Sequence, residues 1–145
     1  MRYATIAVLL LATPAAAGDL CFNSGKTTYQ LIKSGSADVR IRVDAQNPSP
    51  DLRMQIVEQA EIADFILADD ADEGNDPCGT AKRITTVRAD ENEKRPDVTV
   101  VLSAKPETAD YKVFVNSTRY APADAAALLA AIWKSSQRRN VAERR

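Results

Sequence analysis

The chain has 145 residues, 27% of them charged, with 19 basic and 20 acidic side chains and a formal net charge of −1. That near balance argues against a nucleic-acid partner, because phosphate binding calls for a basic excess on the domain. Histidine is absent, which removes the commonest general base and transition-metal ligand.

Met1 to Ala17 reads as a cleavable secretory signal: Arg2 supplies a positive start, Ala4–Ala12 is apolar apart from Thr5, and Thr13-Pro14 leads into Ala15-Ala16-Ala17. Cleavage is expected after Ala17. The apolar run falls well short of the ~20 residues a membrane-crossing helix needs. Asp19-Leu20 ahead of Cys21 departs from a lipoprotein pattern, so a soluble periplasmic or secreted product without stable membrane insertion is expected. Loss of Arg2 with the signal leaves 18 basic and 20 acidic groups, a net charge of −2. In an oxidising compartment the two cysteines, Cys21 and Cys78, are expected to form a disulfide.

Along the mature chain, Thr27–Ile32 has β-branched and aromatic character and ends in the turn Ser34-Gly35-Ser36. In Asp38–Asp44, Val39, Ile41 and Val43 alternate with Arg40 and Arg42 at the strand period. Such alternation favours an antiparallel sheet with one wet face. After Asn47-Pro48-Ser49-Pro50, the segment Leu52–Leu67 reads as strand, turn, strand, although one helix would also suit its apolar spacing. Further strands are expected at Lys82–Arg88, Val98–Leu102 and Tyr111–Val115. A C-terminal helix starts at Pro122, with Asp124 in its first turn and Leu128, Leu129, Ile132 and Trp133 on one stripe.

The expected fold is therefore α+β: a mainly antiparallel sheet of about five to six strands, with the amphipathic helix packed on one face. Residues 18–137 form one domain and 138–145 a basic, frayed tail. No internal repeat of fixed period is read from the sequence.

Candidate chemistry is sparse, and no cofactor is expected: P-loop and dinucleotide-binding glycine patterns are absent. Asp69, Asp70, Asp72 and Asp76 offer oxygen ligands for calcium, but aligning Gly74 with the turn glycine of an EF-hand puts Ala71 and Thr80 at ligand positions. Tyr120 and Trp133 could line a ligand or peptide groove. Asp90, Glu91 and Glu93 read as solvated surface, and Ser103 with Lys105 offers a Ser-Lys pair only if folding brings the amine to the hydroxyl. The leading expectation is a non-enzymatic periplasmic accessory or binding protein that engages another envelope protein through a surface or sheet edge. The alternatives are an envelope enzyme using carboxylate or Ser-Lys chemistry, and a calcium-stabilised domain.

Overall fold

The structure is a computed structural model, and it describes residues 20–68, 78–103 and 105–143. Eight strands are present among them: β1 (Leu20–Ser24), β2 (Thr27–Leu31), β3 (Val39–Val43), β4 (Leu52–Val57), β5 (Phe65–Ala68), β6 (Ile84–Ala89), β7 (Val98–Leu102) and β8 (Tyr111–Asn116). One helix, α1 (Pro122–Glu143), follows. The segment Leu52–Leu67 is strand, a 3₁₀ turn at Ala60–Ile62, then strand, so the helical alternative is set aside.

The expectation of a mainly antiparallel sheet of five to six strands is overturned. The strands form one sheet in the order β1-β2-β6-β3-β7-β4-β8-β5, and every pairing is parallel except β1 with β2. The chain lays down β2, β3, β4 and β5 two positions apart, and then β6, β7 and β8 fill the three gaps. Connections within each pass are only seven or eight residues long. Parallel crossovers usually take a dozen residues or more, but a five-residue strand is only ~17 Å long. Eight extended residues reach ~27 Å. That is enough to run back along one strand and step sideways by two.

A repeat that the sequence reading missed accompanies this path. Asp38, Asp51 and Asp64, thirteen residues apart, stand just ahead of β3, β4 and β5, and Asp97 and Asp110, also thirteen apart, just ahead of β7 and β8. Each carboxylate accepts the backbone N–H of the preceding strand in the sheet order. Thr86 donates to Asp38 at 2.8 Å, Arg40 to Asp97 at 2.9 Å, Thr99 to Asp51 at 2.7 Å, Arg53 to Asp110 at 2.7 Å and Lys112 to Asp64 at 2.7 Å. The five bonds make a ladder along one end of the sheet and fix the register of six strands.

The two faces of the sheet are covered differently. Outward side chains hold the crossovers: Arg88 donates to Gly35 O at 2.6 Å and pairs with buried Glu93, and Arg53 donates to Pro48 O at 3.0 Å. Gly35 turns with φ +90°, a conformation costly for other residues. Inward side chains, among them Val39, Ile41, Leu52, Met54, Val87, Val98, Val100 and Val113, make the core. Alternation thus arises here in parallel strands, because polar loops rather than helices cover the outer face.

The helix is also placed differently from a helix packed on one face. Residues Ala125–Ala131 are buried without interruption, Leu129 being the most exposed at 8%. Seven consecutive positions cover nearly two turns at 3.6 residues per turn, so no side of this segment meets solvent. As a whole, α1 touches β2, β3, β4, β6, β7 and β8. The sheet curls around it until the two edge strands meet, with the rings of Phe22 on β1 and Phe65 on β5 centred 5.8 Å apart. Alanine allows the surrounding strands to approach the helix closely.

Candidate functional site

A cleft of about 930 Å³ opens where the starts of β2, β6 and β3 meet the second half of α1. Its walls carry Lys26, Arg83, Arg138 and Arg139, all exposed, and Tyr29, Ile84 and Ile132 are also among its lining residues. Lys26 sits in the β1–β2 hairpin turn beside Gly25, whose φ of +59° suits the first central position of a type II′ turn. Helix positions 132, 135 and 139 recur at helical spacing and turn one face to the cleft.

The cleft lies where the aspartate ladder breaks. Ile84 occupies in β6 the position that Asp97 and Asp110 hold in β7 and β8, thirteen and twenty-six residues on. It faces Thr28, whose N–H donates to Arg83 O at 3.3 Å. Five strand starts thus carry a carboxylate, while the sixth carries Arg83-Ile84 and faces three further cations. Among the described residues Asp38 is the one acid lining the cleft. Its carboxyl is held below the usual range by the Thr86 N–H, then by the Thr86 hydroxyl, with Arg83 adding attraction.

Two further carboxyls belong to the scaffold. Partial burial pushes the Asp97 carboxyl up, but the Arg40 N–H and guanidinium outweigh it and leave it lowered. Glu93 is lowered by the Arg95 N–H and then by Arg88. A folded-state pKa below the unfolded one means stability that is complete above about pH 5 and is lost as pH falls through the unfolded and then the lowered values. Urea midpoints are therefore expected to fall between about pH 5 and pH 2, and more gently in Asp97→Asn. Equal slopes in the two proteins would remove Asp97 from the acid response.

The other sequence candidates are dispersed. Glu93 is buried against Arg88 rather than solvated. The Ser103 hydroxyl contacts the Thr108 hydroxyl at 2.9 Å and accepts from the Lys105 backbone N–H at 3.1 Å, contacts that hold a loop. Tyr120 is buried, and its hydroxyl donates to Cys21 O at 2.7 Å. Trp133 packs partly buried on the far side of the enclosed helix segment, so the fold does not bring the two aromatics together into one groove. Asp69, Asp70, Asp72 and Asp76 lie outside the described residues, among which no group of three or more metal-ligating side chains occurs. Cys21 and Cys78 are bridged, with Cα atoms 5.5 Å apart.

Sequence reasoning missed all four cleft cations. Lys26 is an isolated charge, Arg83 reads as part of the strand Lys82–Arg88, and Arg138 and Arg139 were assigned to a frayed tail, whereas α1 continues through Glu143. The available signal was the missing aspartate at position 84, visible only once the thirteen-residue period is known. No helix among the described residues is long and apolar enough to cross a membrane. Comparison with protein-family models finds no match, and comparison with curated protein sequences finds none either.

Proposed function

We propose that this chain is an exported, non-enzymatic binding protein that captures an anionic partner in the cleft between the β2, β6 and β3 starts and α1. The observation that carries the reading is the reversal of charge at the broken rung: four cations gather there on a protein whose whole-chain charge is −1. Export by residues 1–17 fits the Cys21–Cys78 bridge, which persists in an oxidising compartment. The lack of histidine and of a free thiol supports binding over catalysis. The expected site of engagement thus moves from a sheet edge, where Phe22 and Phe65 already meet, to the end of the sheet.

Titration of isotope-labelled protein with inorganic polyphosphate is expected to shift amide resonances at positions 24–27, 83–85 and 132–139. The effect should vanish in Arg83→Glu/Arg138→Glu and fade as salt rises from about 0.01 M to 1 M, which shortens the screening length from ~30 Å to ~3 Å. Shifts spread evenly over the surface, or none, would refute the site. Intact mass of the exported chain tests the leader: a product retaining residues 1–17 would contradict it.

A further inference from the structure

We propose that the occupant is an acidic peptide segment carrying an apolar residue among its carboxylates, an inference that rests on the anion-binding reading above. The cleft's cations do not converge on one point. Lys26 and Arg83 rise from the sheet end, while Arg138 and Arg139 stand on the helix, so the positive charge lies on two walls. All four are exposed and so keep their hydration. This arrangement suits several negative charges spaced along a chain better than a single small anion held by desolvated donors. A volume of about 930 Å³ lies at the upper end of the ~300–1,000 Å³ typical of small-ligand pockets.

The lining between the walls is mostly polar, with an apolar spot at its rim. Ile84 is 38% exposed and shares the outward side of β6 with Arg88, while the half-buried Ile132 lines the cleft from the helix. An apolar side chain set between acidic ones would cover Ile84 while its neighbours reach the cations. Ser24, Thr27, Thr85 and Ser135 offer hydroxyls to a peptide backbone. A single-stranded nucleic acid would need exposed rings on which its bases stack, and the one ring in the lining, Tyr29, is 3% exposed. A lipid surface would need several bulky apolar side chains at the mouth. Among the described residues Ile84 is the one such side chain exposed there.

The test is fluorescence anisotropy with a labelled glutamate-rich nonapeptide bearing one central leucine. Binding is expected to weaken at least tenfold in Arg83→Glu/Arg138→Glu. It should weaken several-fold in Ile84→Ser, and likewise when the peptide's leucine is replaced by glycine. It should disappear when the glutamates become glutamines. Lys33→Glu, whose site pairs with Asp124 at the opposite end of the helix, should bind as the parent does, and circular dichroism should show each variant folded. Binding indifferent to the leucine and to Ile84→Ser overturns the peptide assignment and leaves the anion reading standing. So does tighter binding of an oligonucleotide or of phosphatidylglycerol vesicles. Failure of both peptide and polyphosphate to bind overturns the two readings together.

Discussion

Replacing any one of Ala125, Ala126 or Ala127 by leucine is expected to destabilise the protein by about 1–3 kcal/mol, the usual cost of overfilling a packed interior. Leu128→Ala should cost about 2–5 kcal/mol by leaving a cavity. Successive helix positions point ~100° apart, so these four sample every direction around the axis, and all four are fully buried. A helix lying on one face of an open sheet would present at least one of the three alanines to solvent, where a leucine is tolerated at little cost in helix propensity. The curled sheet leaves no such side. Urea midpoints of the four variants check this directly, and a neutral Ala→Leu change at any of the three positions would mean that the sheet does not enclose the helix.

The enclosure was partly legible in the sequence. An alanine- and leucine-rich run that is apolar on every side is the mark of a buried helix, but the bulky stripe of Leu128, Leu129, Ile132 and Trp133 drew the reading toward one face. The positions of β2 to β8 came through, though β1 was missed, because inward residues such as Val39, Ile41 and Val43 alternate whatever their partners are. Strand direction did not. Alternation reports that the two faces differ in polarity, and here the polar face is made by crossovers tied to Arg53 and Arg88, a covering that local pattern does not reveal.

The period hid for a related reason. Its constant part is one aspartate followed by apolar alternation, and the interval from Asp64 to Asp97 is thirty-three residues, which breaks the phase between the two passes. Only the pairing of one pass with the other makes the aspartates equivalent. Strand order was likewise beyond local reading, since no strand from β3 to β5 pairs with its neighbour in sequence. Strands of the first pass lie two places apart, ~9.6 Å at the usual spacing, and cannot bond to one another until the second pass arrives. The cleft inherits this difficulty: Lys26, Arg83 and Arg138 come together only after both passes and the helix are in place.

Loss of the disulfide is expected to have the largest effect of any change at the edge of the sheet. The bridge joins positions 57 apart in sequence, and closing a loop of that size stabilises by about 4 kcal/mol in the chain-entropy model. Its position adds to this. β1 and β5 end the strand order and share no backbone ladder, so the seam between them depends on the Phe22–Phe65 contact and on how firmly β1 is held. Cys21 ties β1 to the segment that carries the chain from β5 to β6, and the Tyr120 hydroxyl bonded to Cys21 O ties the same strand to the entry of α1. In Cys21→Ser/Cys78→Ser the second tie remains. The β1 amides should therefore lose hydrogen-exchange protection first, while those of β3 and β7, pressed against the helix, persist until global unfolding. Denaturant titrations of the oxidised protein and of this variant measure the loss. Equal midpoints, or protection in β1 that matches β3, would show that the seam holds without the bridge.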